Sequence, residues 1–198
     1  MMMDKTPNSK EKGFTLIEML AAIGIFGILM VVLSGIFLSA MKSQIQIAYT
    51  QYLINDSNYA LDYMGRALRM AQRDNDGTCV GVPRFGFDPS AGISSEIVFL
   101  DYNSKCHKFF LDASDNKIKE IISDDETASR FPFVPVYDRT SERSKVLNLQ
   151  FNVKGGTNVD DEQPLITIMM RSQANTQSTE SLPTITVQTS VSQRNLDK

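Results

Sequence analysis

Histidine is nearly absent from this 198-residue chain, occurring only as His107, and cysteine occurs only as Cys79 and Cys106. Cys106 and the adjacent His107 fall short of the ligand set a zinc site needs, and there is no second imidazole to complete one. Neighbours on a strand point to opposite faces, so the same adjacency argues against a cysteine–histidine nucleophile pair. The chain also lacks a Gly-x-Ser-x-Gly elbow, a Walker loop and a His-Glu-x-x-His helix. Aspartates and glutamates are plentiful, yet no pair of them is set apart as a catalytic couple. The residues therefore point away from an enzyme.

Charge is missing in a second, more telling place. From Met19 to Met41 there is no charged side chain, and these 23 residues reach about 34 Å as a helix, enough to cross a hydrocarbon core of about 30 Å. Glu18 stands at the inner edge of the run. A carboxylate there costs on the order of 2.5 to 3.5 kcal/mol on insertion scales, so a partner is expected for it; the alternatives are snorkelling to water or protonation. An ordinary signal peptide places its small-residue cut site after a shorter apolar region. Here the small residue, Gly13, precedes the run, so a cut after it removes only the basic leader and leaves the membrane helix on the mature chain. Lys5, Lys10 and Lys12 before the span set the N-terminus in the cytoplasm by the positive-inside rule, with the remainder exported.

The run Lys12-Gly13-Phe14-Thr15-Leu16-Ile17-Glu18 resembles the prepilin-type cleavage and methylation motif of type IV pilins and type II secretion pseudopilins. The resemblance implies that Gly13 precedes the bond cut by prepilin peptidase, that Phe14 becomes the N-methylated first residue, and that Glu18 is an assembly residue meeting the free amino terminus of a neighbouring subunit. Electrostatics agrees with that role, because opposite charges attract strongly at low dielectric while either alone is costly to bury. Gly24, Gly27 and Gly35 lower helix propensity and permit close helix–helix approach. Many major pilins carry a proline where this chain has Gly35, and the resemblance departs there. It is strong over residues 10 to 41 and architectural beyond.

Three lysines and three carboxylates precede residue 42, which leaves 17 basic and 20 acidic side chains for residues 42 to 198 out of 20 and 23 in all. A net charge of −3 does not favour nucleic acid as a partner. Ile45, Ala48, Tyr52, Tyr59, Tyr63 and Ala67 continue an apolar stripe at roughly helical spacing, no proline interrupts Phe14 to Arg73, and Asp74-Asn75-Asp76-Gly77 supplies a stop. One helix of about 60 residues is expected, its second half packing the stripe on a globular domain.

From residue 79 the period changes to that of strands. Glu96 to Tyr102 is rich in β-formers, and His107 to Leu111 and Lys117 to Ile122 flank a turn at Asp112–Asn116, which reads as a hairpin. Leu147, Leu149, Phe151 and Val153 alternate with polar residues, the pattern of a strand with one buried face; Pro164 to Arg171 and Thr184 to Val191 are further strands. The fold class is α+β, pilin-like, with a long N-terminal helix on an antiparallel sheet. Ser123 to Ser144 reads as a long surface loop whose Phe131 and Phe133 pin it to its own core rather than meet a partner.

An oxidising exterior allows Cys79 and Cys106 to form a disulfide between the end of the helix and the first hairpin, worth roughly 3 to 4 kcal/mol at most; free thiols are the alternative. Asp74–Asp76, Asp124–Glu126 and Asp160–Glu162 offer the oxygen ligands calcium takes. Each is a fragment, and a helix stop with two solvated acidic turns accounts for them equally, so no cofactor is expected. The organisation read from the chain is a cytoplasmic leader at 1–13, a transmembrane and assembly half of the helix at 14–41, an exported half at 42–75 and a β domain at 76–198. It describes a noncatalytic filament subunit, most like a minor pilin, lacking the C-terminal cysteine pair common in major pilins, or a J-type minor pseudopilin. Its expected partners are prepilin peptidase, other pilins or pseudopilins, the inner-membrane assembly platform and lipid. A membrane-anchored binding or enzymatic domain with a chance leader is the alternative.

Overall fold

The apolar run and its polar continuation form one α-helix, α1 (Leu16–Arg69, 54 residues), in a computed structural model that describes residues 13–89, 92–123, 136–155, 163–175 and 182–194. The helix stops at Arg69, short of the expected Arg73. Internal packing divides the chain into two units, up to Ile45 and from Gln46 onward. In the first unit the described residues are exposed throughout, including every large apolar side chain from Phe14 to Met41, and this is the one stretch of described helix long and apolar enough to cross a membrane.

In the second unit the helix buries Leu53, Ser57, Ala60, Leu61, Met64 and Leu68. Those positions keep the 3.6-residue period, but they lie one residue from the stripe expected from Tyr52, Tyr59, Tyr63 and Ala67. Tyr52, Tyr63 and Ala67 flank the buried line at intermediate depth, and Ile45, Ala48 and Tyr59 are exposed. The displacement has a simple cause. A tyrosine hydroxyl needs a polar partner, so the rings settle beside the dry face, where Tyr63 Oη donates to Glu120 at 2.8 Å and Tyr52 Oη meets Ser141 Oγ.

Nine strands follow: β1 (Phe87–Asp88), β2 (Gly92–Ser94), β3 (Glu96–Leu100), β4 (Cys106–Asp112), β5 (Lys117–Ser123), β6 (Val136–Asp138), β7 (Ser144–Lys154), β8 (Leu165–Ala174) and β9 (Thr184–Ser192). All described pairings are antiparallel, in two sheets rather than one, ordered β1-β3-β4-β5-β6 and β2-β7-β8-β9. The hairpin β4–β5 forms in the expected place, with Asp112 opposite Lys117. At its turn Asn116 O accepts from Val146 N–H, so the hairpin end abuts β7 of the second sheet. Asp101 accepts from the N–H groups of Asn103 and Lys105, closing a turn that ends β3 at Leu100, two residues before Tyr102.

Both sheets turn apolar faces toward the helix. Phe99, Phe109 and Ile118 contribute from the first, and Leu149, Phe151, Ile166 and Ile168 from the second. Tyr63 meets Phe109 edge to face at 6.1 Å. Gly65 permits a close approach to β9, since a Cβ there would stand 3.2 Å from Val191 Cγ2. Along β7 the expected alternation holds for Leu149, Phe151 and Val153 and fails at Leu147, which is exposed. A register shift between Val146 and Asn148 hands the inward position to Val146. The stretch read as a loop from Ser123 to Ser144 contains β6; Phe131 and Phe133 lie outside the described residues, as do the leader lysines and the acidic stretches 124–126 and 160–162.

The one-residue displacement of the buried face has a measurable consequence. Met64→Ala, at a site with no exposure, should cost about 2 to 5 kcal/mol, whereas Tyr59→Ala, 61% exposed, should stay within about 0.5 kcal/mol of the parent. Urea unfolding of the full chain in detergent, followed by near-ultraviolet circular dichroism, checks both.

Candidate functional site: the helix N-terminus and the clusters that hold its exported half

Gly13 and Phe14 precede the first turn of α1, both exposed, with Phe14 at 84% of its accessible surface. Thr15 is the residue before the helix, and Glu18 is its third residue. Thr-x-x-Glu in that position is a capping box. Thr15 N–H donates to Glu18 Oε2 at 2.9 Å, Thr15 Oγ1 donates to the same oxygen at 3.0 Å, and Glu18 N–H donates to Thr15 Oγ1 at 3.3 Å. Two amide hydrogens that every helix start leaves unpaired are thus satisfied within the chain. The carboxylate also lies at the positive end of the helix dipole. Glu18 stands out in the sequence by its isolation among apolar neighbours; its capping partner Thr15 does not, although the Thr-x-x-Glu spacing before an apolar run is the signal for it.

Beyond the membrane-length segment, three polar clusters fix the helix and its following loop to the sheets. The first centres on Glu120, on β5, whose side chain has no exposure. It accepts from Tyr63 Oη at 2.8 Å and from Arg139 Nε at 2.7 Å, and a second Arg139 nitrogen, Nη2, donates to the same oxygen. His107 Nδ1 lies 2.7 Å from the other oxygen. Arg139 stacks its guanidinium 4.4 Å from the Tyr63 ring centre, and His107 stacks on Phe99 at 5.2 Å. His107 Nε2 stands 3.3 Å from Asp101 Oδ2, within ion-pair distance but without hydrogen-bond geometry. Burial pushes the Glu120 carboxyl up, but the bonds from His107 and Tyr63 and the charge of Arg139 outweigh it and hold the group below its ordinary range. Tyr63 is pushed up to about 12 by burial and by its bond to Glu120. The sole histidine is therefore part of a structural network joining helix, first sheet and β6.

The second cluster is Asp56, whose carboxylate accepts from Ser141 N–H at 3.3 Å and from Ser144 Oγ, holding the turn between β6 and β7. The third is Asp74. Its oxygens accept from the N–H groups of Gly77, Cys79 and Val80 at 2.9, 2.8 and 2.7 Å. Gly77 adopts a φ of +71°, and a Cβ there would stand 2.6 Å from Pro83 N, so only glycine fits. Asp74-Asn75-Asp76-Gly77 is thus the frame of a loop, with the helix already ended at Arg69. Among the described residues no group of three or more His, Cys, Asp or Glu side chains gathers as a metal site would require. The loop frame presents Cys79, which joins Cys106 at the start of β4 in a disulfide with a Cα–Cα distance of 5.6 Å.

The prokaryotic N-terminal methylation motif matches residues 8–34. No curated protein and no solved structure gives a match to the chain. The match covers Gly13, Phe14, Thr15 and Glu18 together with the first half of the apolar run. It supports a type IV pilin-like chain, processed by prepilin peptidase and anchored by its apolar helix.

The Glu120 network carries a pH signature. A carboxyl held below its unfolded value stabilises the fold above about pH 4.3, and that stabilisation is lost as pH falls through the lower folded value. Glu120→Gln should cost on the order of 3 kcal/mol at neutral pH, because Arg139 and His107 lose a charged acceptor. Its stability should also fall less steeply than that of the parent in acid. Urea midpoints between pH 3 and 7 measure both.

Proposed function

We propose that this chain is a structural, noncatalytic subunit of a type IV pilus or type II secretion-like filament, a minor pilin or J-type minor pseudopilin. The observation that carries this reading is the order of features at the N-terminus: a basic leader, Gly13-Phe14, and Glu18 opening an uncharged run long enough to span the membrane. The chain inserts with its N-terminus in the cytoplasm and its strands exported. Prepilin peptidase cuts after Gly13, and Phe14 is N-methylated. The apolar half of α1 then leaves lipid for contacts with the corresponding helices of other subunits at the inner-membrane assembly platform.

Three structural features support the assembly step. The large apolar residues from Phe14 to Met41 find no cover among the described residues. At Gly24, Gly27 and Gly35 an added Cβ would meet nothing within 4 Å, so among the described residues their small size serves no contact. In a helix bundle the same positions permit close backbone approach. Among the described residues Glu18 is bonded to Thr15 through Oε2, and a neighbour's amino terminus would meet Oε1.

Mass spectrometry of the N-terminal peptide, with and without the cognate prepilin peptidase, tests the reading. The expected product begins with N-methyl-Phe14 and appears only with the peptidase; an intact leader in the presence of active peptidase would favour a membrane-anchored exported domain instead. Glu18→Ala should still be cleaved but should lose incorporation into sheared filaments by at least about tenfold, since removing one partner of a buried ion pair strands the other.

A further inference from the structure

The two sheets treat their cations differently. In the first sheet the strand lysines are all paired: Lys108 with Glu96 at 2.7 Å, Lys117 with Asp138 at 3.0 Å and Lys119 with Asp112 at 2.6 Å. The strands of the second sheet carry Lys145, Lys154 and Arg171 and contain no aspartate or glutamate. All three cations are exposed on the outer face, and among the described residues none of them makes an ion pair. In a chain of net charge −3 this is a separation of charge, not an excess of it. Between the cations the outward side chains are mostly amides and hydroxyls. Register sets Met169 between Gln150 and Gln188, and sets Asn152 opposite Thr167. These side chains, with Lys154 and the exposed aliphatic chains of Ile93 and Leu165, line an open groove of about 300 Å³.

We infer that the outer face of the second sheet binds an acidic polysaccharide, a chain of hydroxyl-rich sugars some of which carry a carboxylate. Its charge complements the three cations, and their wide spacing selects the class. Lys145 and Lys154 stand at the two ends of β7, roughly 30 Å apart at about 3.3 Å per residue, and Arg171 lies between them opposite Asn148. A nucleic-acid duplex carries one negative charge per about 1.7 Å of axis and calls for a denser basic surface. Bases also need rings to stack on, and the sole aromatic residue of these four strands, Phe151, is buried on the other face. Amides and hydroxyls both donate and accept, as a sugar hydroxyl requires, and the aliphatic chains of Ile93, Leu165 and Met169 suit the C–H face of a sugar ring. Peptides are captured at a strand edge or in an apolar groove, whereas this groove is amide-lined. A second copy docking through the same face would set cation against cation. The inference uses the second sheet alone and does not depend on filament membership.

The test uses the full chain in nonionic detergent micelles and polygalacturonate as probe, with its fully methyl-esterified form as the uncharged counterpart. Titration calorimetry should show saturable binding of polygalacturonate that weakens as salt rises, and no binding of the ester. The double variant Lys154→Gln, Arg171→Gln changes two exposed side chains, should keep the parent's melting temperature, and should weaken binding by about tenfold or more. Gln150→Ala, Gln188→Ala leaves the charge unchanged and should weaken binding by about fivefold, which diffuse attraction would not do. Lys117→Gln, in the first sheet, should leave binding as it is. No binding, equal binding by either double variant, equal binding of the ester, or tighter binding of duplex DNA or polyglutamate at matched charge would each overturn the inference. So would self-association without polysaccharide that the Lys154→Gln, Arg171→Gln variant abolishes, since that result assigns the face to a second copy.

Discussion

One uninterrupted helix has to serve two surroundings, and most of the structure follows from that constraint. A helix is one of the few ways to carry a backbone across lipid, because it satisfies its amides internally. In α1 the same hydrogen-bonded rod continues from the uncharged run into residues that border a protein core. The side chains change their logic along it. Up to Met41 the apolar residues lie all round the helix, as a lipid-facing or bundle-facing segment requires. From Leu53 the dry side narrows to a single stripe, and charged or amide residues such as Asp62 and Asn58 take the other side.

Apolar burial alone would leave the helix free to slide or rotate by a residue over the sheets, because Leu, Met and Ala side chains are not directional. The polar clusters remove that freedom. Tyr63 reaches Glu120, and Asp56 reaches the turn between β6 and β7, each through geometry that a one-residue rotation would break. Glu120 is the costly element. A fully buried carboxylate is tolerated because Arg139, His107 and Tyr63 surround it, and the arrangement contributes specificity of register more than net stability. Both clusters join the helix to residues 136–144, so this segment, which connects the two sheets, is held from the helix side.

The legible parts of the fold were those with a strong local period. The apolar run, the β4–β5 hairpin and the three long strands of the second sheet were readable because burial on one face imposes alternation along the sequence. Their division into two sheets was not, since it depends on which strands pair, and pairings such as β2 with β7 join residues distant in the chain. The buried face of the helix was misread by one position because tyrosines were counted as core, although their hydroxyls draw them to its margin. Leu147 was misassigned for a comparable reason: a bulge adds a residue without leaving a mark in composition. At the N-terminus Gly13, Phe14 and Glu18 stood out by motif. Thr15 did not, because its role is visible only when the helix start is fixed, and a threonine among apolar residues has no unusual feature until then. Glu120 likewise looks like any strand glutamate until Arg139 and His107 are brought to it.

Thr15 also resolves a difficulty in the membrane step. Glu18 stands at the edge of an apolar span, where an isolated carboxylate is disfavoured, the cost of a charge reaching on the order of 2.5 to 3.5 kcal/mol at the centre of a membrane helix. The capping box gives it two donors from the chain's own first turn, and the unpaired amides of the helix start gain an acceptor in the same geometry. Cleavage after Gly13, as proposed above, would leave this box intact, since Thr15 N–H belongs to the peptide bond with Phe14. In the assembly proposed above, a neighbour's amino terminus would therefore not rescue an unsatisfied charge. It would add to, or displace, hydrogen bonds already made to Glu18, and only the difference between the two arrangements would drive association. That difference is smaller than the full attraction of an ion pair at low dielectric.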